Sequence, residues 1–186
     1  MAKYAQYIFS ELAQRYIPPI SSDEFLTLAN VNKKNLVFAI SQSGETADTL
    51  AAAREAKCLG ARVLSIVNVV GSTLARESDG VIYTRSGPEI SVASTKAFTG
   101  QVIALYLLAL HIGRVRKVLS VEDGRWWLDQ FMALPGQVER VIKREAEILS
   151  IAKQFHNHRN FLYLGRGINF PIALEGALKL KEISYI

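Results

Sequence analysis

An apolar run of strand length leads directly into a hydroxyl-rich turn and then into a run of strong helix formers. The apolar run covers residues 35–40, the turn is Ser41-Gln42-Ser43-Gly44-Glu45-Thr46, and the helical run covers residues 47–57. The helical run is rich in alanine, leucine, glutamate and lysine, which favour helix. This stretch therefore predicts a strand that passes through a tight turn into a helix.

The same alternation of strand and helix continues further along the chain. Strand patterns at 62–67 and 80–84 flank a short helix pattern at 71–77. Such alternation predicts an α/β fold with a parallel sheet that helices cover on both faces. One further short strand is expected at Phe161–Leu164. The remaining helices are expected at 1–16, at 25–30, at 96–113, at 120–156 with an interruption near Pro135, and from Pro171 to the end.

The turn suits either an anion or a simple helix cap. A helix start offers unpaired backbone N–H groups and the positive end of a dipole. The hydroxyls of Ser41, Ser43 and Thr46 and the carboxamide of Gln42 crowd this start, and Gly44 allows a tight turn. A phosphate dianion fits such donors, but serine and threonine are also common N-caps. The spacing alone leaves both interpretations open, and the turn matches neither common nucleotide-binding glycine loop.

The charge balance favours a small anionic ligand over a nucleic acid. The net charge is +5 and 49% of residues are hydrophobic, with a pI near 9.4. The basic residues are spread along the chain, and no nucleic-acid-binding motif accompanies them. The most apolar stretch, residues 102–112, is shorter than the roughly 20 residues of a membrane-spanning helix. We therefore expect neither nucleic acid nor membrane as a partner.

Cysteine and histidine form no pattern that indicates a metal site or a nucleophile. Cys58 is the one cysteine; we expect a small buried residue and a reducing compartment. His156 and His158 are spaced as a pair, but no third ligand is suggested nearby, so they are expected to face solvent at a helix end. No metal and no cofactor are predicted.

The last helix carries three ionisable residues on one face. Glu175, Lys179 and Glu182 follow each other at spacings of four and three, which place them on the same side of a helix. Such residues commonly form an exposed ion pair of about 0.3–0.5 kcal/mol. They could also form a carboxylate base that a neighbouring ammonium tunes. The spacing alone favours the ion pair.

Four motifs stand out together, at residues 41–49, 92–99, 164–167 and 173–186. They closely resemble the isomerising glutamine–fructose-6-phosphate aminotransferase family, the glucosamine-6-phosphate synthases. Their order and spacing also match, and the resemblance covers essentially the whole chain. Each motif alone is shared with other sugar isomerase (SIS) domains, whereas the combination is specific.

This resemblance implies a fold and a domain division. The expected fold is a three-layer αβα sandwich around a parallel sheet, flavodoxin-like and doubly wound, with its first strand missing. Residues 1–150 resemble a first SIS domain that lacks its initial strand. Residues 151–186 resemble the opening strand and helix of a second SIS domain.

The resemblance also implies roles for particular residues. In the family, the turn holds the phosphate of the sugar, the segment after the third strand lines the sugar, and the last helix contributes to the isomerising site. The phosphate residues correspond to Ser41, Gln42, Ser43 and Thr46, and the sugar-lining residues to Val92 and Ser94. The last-helix residues correspond to Glu175, Lys179 and Glu182, of which Glu182 matches the proton shuttle between C1 and C2.

Other family parts have no counterpart here, which limits the expected activity. The glutaminase domain, the ring-opening histidine and the C-terminal tail of the family are not matched by these residues. The resemblance therefore implies a cytoplasmic, homo-oligomeric fragment of the amidotransferase. It is expected to bind fructose 6-phosphate or glucose 6-phosphate and to be inactive alone. The alternatives are a non-catalytic sugar-phosphate-sensing module or a related SIS-domain isomerase or deglycase.

Overall fold

A computed structural model describes residues 1–185 as three parallel strands and eight helices, with one short 3-10 turn at Ser22–Glu24. The strands are β1 (Leu36–Ser41), β2 (Arg62–Val67) and β3 (Gly80–Tyr83). The helices are α1 (Ala2–Leu12), α2 (Phe25–Leu28), α3 (Ala47–Cys58), α4 (Thr73–Glu77), α5 (Thr95–Val115), α6 (Val121–Ile142), α7 (Glu145–Phe155) and α8 (Asn169–Ser184).

The sheet has the order β1-β2-β3, so each strand lies beside the next one in the chain. Leu36 of β1 is in register with Arg62 of β2, and Leu64 of β2 with Gly80 of β3. Both pairings are parallel. Each crossover contains a helix, as parallel neighbours require, because the chain must return to the starting end of the sheet.

Side chains that alternate along the strands feed two separate cores. On one face, Ile66 of β2 packs with α1 and α5 residues such as Phe9 and Leu105. On the other face, Val63 packs with α3 and α4 residues, including Leu74. Successive strand residues point to opposite faces, so a sheet with two cores is covered on both sides. The predicted three-layer α/β sandwich with a parallel sheet is confirmed.

Helix α5 is long and apolar enough to cross a membrane, by length and composition. The whole helix, Thr95–Val115, is longer than the apolar stretch 102–112 noted in the sequence. Its Leu105, Ala109 and Leu110 are buried in the core with α1. One apolar face packed against protein in this way is typical of a helix that covers the sheet of an α/β domain.

The strand expected at Phe161–Leu164 is wrong, because residues 161–166 form no regular element. Leu162 is 90% exposed and Leu164 is 88% exposed. A strand needs a neighbour for its backbone N–H and C=O groups, and no strand of the described residues lies beside this segment. The β-favouring side chains alone therefore do not produce a strand here.

The interruption expected near Pro135 is also wrong. Helix α6 continues past Pro135 instead of breaking there. It starts with a good cap, because Asp123 N–H donates to Ser120 Oγ at 2.9 Å, and Trp127 and Phe131 hold it against Tyr106 of α5. These contacts outweigh the one hydrogen bond that a proline removes.

Cys58 is exposed rather than buried, because it lies on the solvent side of the last turn of α3.

We predict that Gly113→Ala destabilises the protein by about 1–3 kcal/mol, the usual effect of overpacking. A Cβ at Gly113 would lie 2.2 Å from the carbonyl oxygen of Leu12, where α5 crosses the end of α1. The matched control is Gly124→Ala in α6, whose Cβ would meet no atom closer than 3.4 Å. The control should gain up to about 1 kcal/mol from helix propensity. Urea unfolding measures both, and equal stabilities would contradict the close α1–α5 contact.

Candidate functional site

The predicted site loops lie at the carboxyl ends of the three strands. The turn 41–46 follows β1, Asn68 follows β2, and the segment 84–94 follows β3. Because the strands are parallel, their carboxyl ends meet at one edge of the sheet. Ligands of open α/β sheets bind in crevices outside this edge, so the candidate site is built where such folds place their chemistry.

Within the turn, the hydroxyls bond to one another and to the backbone of the turn. Ser41 Oγ lies 3.0 Å from Thr46 Oγ1, and Gly44 N–H donates to Ser41 Oγ at 3.0 Å. Glu45 N–H donates to Ser43 Oγ at 3.1 Å. Gly44 has a φ of +69°, a left-handed conformation that glycine adopts without strain. The turn is thus folded tightly at the start of α3.

The hydroxyls do not cap α3. Thr46 is the N-cap residue, yet its side chain makes no capping hydrogen bond. Its Oγ1 instead faces Ser41 Oγ. The interpretation of this turn as a simple side-chain cap is therefore not what the structure shows. The backbone N–H groups at the start of a helix have no partner within the helix, and the side chain of Thr46 does not cap those of α3.

Two links join the turn to α4. Leu74 N–H donates to the carbonyl oxygen of Gly44 at 3.0 Å, and Thr73 N–H donates to Glu45 Oε1 at 2.7 Å. The hydrogen bond from Thr73 holds the pKa of Glu45 below its usual value. A Cβ at Gly44 would lie 2.2 Å from Ser72 Oγ, so only glycine allows this close approach.

Asn68 joins the turn after β1 to the segment after β3. Its backbone N–H donates to the carbonyl oxygen of Gln42 at 3.0 Å. Its Oδ1 accepts hydrogen bonds from the hydroxyl of Thr84 at 3.0 Å and from Ser86 N–H at 2.8 Å. Its Nδ2 donates to the carbonyl oxygen of Gly87 at 2.7 Å. One residue, through its backbone on one side and its side chain on the other, therefore joins two of the loops at this edge.

The predicted sugar-lining residues differ in their surroundings. Val92 is 83% exposed, so its side chain has no fixed packing position. Ser94 is half-buried and precedes α5, with a φ of +53°. A non-glycine residue in the left-handed region is strained, and such residues cluster at functional sites. Ala97 N–H donates to Glu89 Oε2 at 3.3 Å, which ties the segment to the first turn of α5.

On α8, the three predicted ionisable residues do meet. Lys179 Nζ lies 2.8 Å from Glu182 Oε2 and 3.4 Å from Glu175 Oε1. Desolvation acts to lower the pKa of Lys179, but the hydrogen bond to Glu182 and the charge of Glu175 outweigh it, so the pKa is raised. All three side chains are partly shielded from solvent. The ion pair predicted from spacing is confirmed.

This ionic cluster lies beside the start of α5. A cavity of about 290 Å³ separates the two helices. Its lining residues are Thr95, Phe98 and Thr99 of α5 and Ile172, Glu175, Gly176 and Lys179 of α8. The structure thus brings Glu175 and Lys179 close to the helix that Ser94 precedes. The hydrogen bonds of the turn 41–46 lead instead to Asn68, directly after β2, and to α4.

The family model of the SIS domain matches residues 1–111. The chain belongs to the SIS domain family. It is 48% identical over 156 residues to the glutamine–fructose-6-phosphate aminotransferase [isomerizing] of Clostridium acetobutylicum, which covers 84% of this chain and 26% of that protein. It is 45% identical over 186 residues to the enzyme of the same name from Thermus thermophilus, which covers 98% of this chain and 30% of that protein.

A solved structure gives the same relationship. The C-terminal domain of glucosamine-fructose-6-phosphate aminotransferase from Francisella tularensis superposes with a TM-score of 0.95 at 38% identity, over 100% of this chain and 53% of that one. This SIS-domain chain therefore spans about half of that structure. It spans a quarter to a third of the length of the curated relatives it matches.

Sequence reasoning missed two residues of this SIS domain, Asn68 and Glu45. The position of Asn68 directly after β2 was the available signal, because polar residues at the carboxyl ends of parallel strands face the ligand edge. Nothing in the sequence pairs Glu45 with Thr73. Among residues 1–185, no group of three or more histidine, cysteine, aspartate or glutamate side chains could hold a metal ion.

Proposed function

We propose that this chain is part of the isomerase region of a cytoplasmic amidotransferase that makes glucosamine 6-phosphate from fructose 6-phosphate and glutamine. The observation that carries the proposal is its identity of 45–48% to proteins named as that aminotransferase. The chain covers only part of those relatives, and we propose that within a longer protein it contributes residues that bind and isomerise the sugar phosphate. The residue roles below follow from the resemblance and are supported by geometry.

The turn 41–46 is proposed as the phosphate site. Side chains leave the first N–H groups of α3 uncapped, and the helix dipole adds the equivalent of about half a positive charge there. The hydroxyls of Ser41, Ser43 and Thr46 stand at the same end. Neutral donors together with a dipole suit a phosphate dianion without lysine or arginine.

We expect inorganic phosphate and fructose 6-phosphate to shift the amide signals of residues 41–48 in NMR titrations at millimolar ligand. Unphosphorylated fructose should not shift them. Thr46→Val keeps the shape of the side chain and removes its hydroxyl. It should weaken phosphate binding about two- to tenfold, the usual effect of one hydrogen bond. Thr27→Val on the exposed side of α2 is the control. Shifts confined to other residues, or no shifts at all, would contradict the site.

The α8 cluster is proposed as the proton-transfer site. An aldose–ketose shift needs one base that serves both C1 and C2, and Glu182 is that base by resemblance. Lys179 lies 2.8 Å from it, and a neighbouring ammonium favours the ionised carboxylate. Glu182 is about one-third exposed, so water reaches it in this chain. Since water exclusion is part of such catalysis, we propose that the chain alone neither isomerises the sugar phosphate nor forms glucosamine 6-phosphate at a useful rate.

In a full-length protein that carries this sequence, Glu182→Gln should abolish isomerisation and leave the affinity for fructose 6-phosphate nearly unchanged. The amide keeps the shape of the side chain but cannot accept the proton. Coupled assays of glucose 6-phosphate formation, together with equilibrium binding, measure the two effects. Glu139→Gln, which breaks an exposed ion pair with Lys143 on α6, serves as the control. A Glu182→Gln enzyme with near wild-type turnover would assign the proton to another group.

We also propose that copies of this chain associate. No strand of the described residues pairs with the outer edge of β1. Two cavities of about 180 and 120 Å³ run along this edge, lined in common by residues that include Phe25 and Phe38. The exposed segment 161–164 has β-favouring side chains and no partner strand. An open edge and an unpaired segment invite pairing between chains.

Light scattering should therefore give a mass about twice the 20.6 kDa of the chain, or more. Replacing Leu162 and Leu164 together by lysine should return it to the monomer, because charges on a strand prevent edge pairing. Met132→Lys, at an 81% exposed position on α6, is the control for a charge added elsewhere. A wild type that stays monomeric at high concentration would exclude pairing between chains.

A further inference from the structure

Two consecutive N–H groups of α4 hold two consecutive residues of the turn. Leu74 N–H donates to the carbonyl oxygen of Gly44 at 3.0 Å, and Thr73 N–H donates to Glu45 Oε1 at 2.7 Å. The two links use different kinds of acceptor. The first depends only on the backbone of the turn, whereas the second depends on the side chain at position 45. Sequence changes at that position can therefore alter the turn without changing its hydroxyls.

A carboxylate beside an anion site needs a structural reason. Like charges a few ångströms apart repel, and a free carboxylate in this turn would oppose phosphate binding. The carboxylate of Glu45 is instead engaged with Thr73 N–H, and Arg76 on the same helix offsets part of its charge. Arg76 itself is held by the hydroxyl of Thr73 at 2.9 Å. The negative charge of Glu45 is thus partly balanced by Thr73 and Arg76 of α4.

The backbone of Glu45 connects this link to the proposed donors. Glu45 N–H donates to Ser43 Oγ at 3.1 Å, and the next residue, Thr46, is the N-cap of α3. A side chain fixed at position 45 therefore restricts both the hydroxyl of Ser43 and the peptide that enters α3. Gly44 on the other side adopts a left-handed conformation and, as a glycine, has a wide choice of other backbone conformations when it is not held.

We propose that Glu45 is a positioning residue for the phosphate turn: by accepting the N–H of Thr73, it holds the turn against α4 in the shape that binds the anion. This role rests on the proposed phosphate site. Glu45 does not touch the ligand in this scheme. It acts through the orientation of Ser43 and Thr46.

Four variants separate the hydrogen bond from the charge. Glu45→Ala removes the acceptor, and Glu45→Gln keeps an acceptor oxygen without the charge. Thr73→Pro removes the donor N–H; proline is suited to the first residue of a helix, and the extended Ser72 before it, with ψ of 160°, is compatible with a following proline. Thr73→Val keeps the N–H and removes the hydroxyl, which bonds to Glu45 and accepts from Arg76. Glu139→Ala on α6 is the control for loss of an exposed glutamate.

Titration of each variant with inorganic phosphate, followed by amide shifts, provides the test. Glu45→Ala and Thr73→Pro should each weaken binding about three- to tenfold, as expected for one hydrogen bond. Glu45→Gln and Glu139→Ala should bind as the wild type does. Thr73→Val should fall between the wild type and Thr73→Pro, because it keeps the N–H and loses the hydroxyl contact with Glu45. All five variants should unfold at similar urea concentrations. In the ligand-free protein, the amide of Leu74 should exchange faster in Glu45→Ala than in Glu45→Gln.

The outcomes separate this role from the phosphate site itself. A wild type that binds phosphate at 41–48 together with an unchanged Glu45→Ala would overturn the positioning role alone. Glu45→Gln as weak as Glu45→Ala would also overturn it, because the charge and not the hydrogen bond would then matter. A wild type with no shifts at 41–48 would overturn the phosphate site and with it any role of Glu45 in binding.

Discussion

The parallel pairing of the three strands is the constraint on which the rest of the structure depends. The register of β1 on β2 and of β2 on β3 places all carboxyl ends at one edge. Each turn that leaves this edge must then enter a helix on one face of the sheet, because parallel strands need crossovers. The start of α3, the side chain of Asn68 and the segment before α5 become neighbours for this reason, although they are far apart in the chain.

The edge is held together by hydrogen bonds between backbone groups and a few side chains rather than by ion pairs. Asn68 spans from Gln42 to Gly87, and α4 holds the turn through Gly44 and Glu45. Such bonds fix the loops without adding positive charge to the site. In the proposed phosphate site, an anion would meet oriented neutral donors and a helix dipole, without the cost of ordering a flexible lysine.

Much of this could be read from the sequence, because the signals were local. The turn 41–46, the helix after it and the face shared by Glu175, Lys179 and Glu182 follow from spacing alone, and the structure confirms the strand, the helix and the ion pairs. The strand at 161–164 was wrong because a strand exists only with a partner, which local sequence does not specify. Helix α6 continues through Pro135, because its aromatic contacts with α5 outweigh the helix-breaking tendency of one proline.

The sequence by itself determined the α/β class and the hydroxyl-rich turn between β1 and α3, since side-chain periodicity and turn chemistry act over a few residues. Only the tertiary structure decided how that turn is held. The bond between Glu45 and Thr73 joins positions 28 residues apart. The contact of Gly44 with Ser72 and the reach of Asn68 to both loops likewise join distant residues. Pairings of this kind arise only after the sheet has set the distance between its loops, because no periodicity links residues so far apart in the chain.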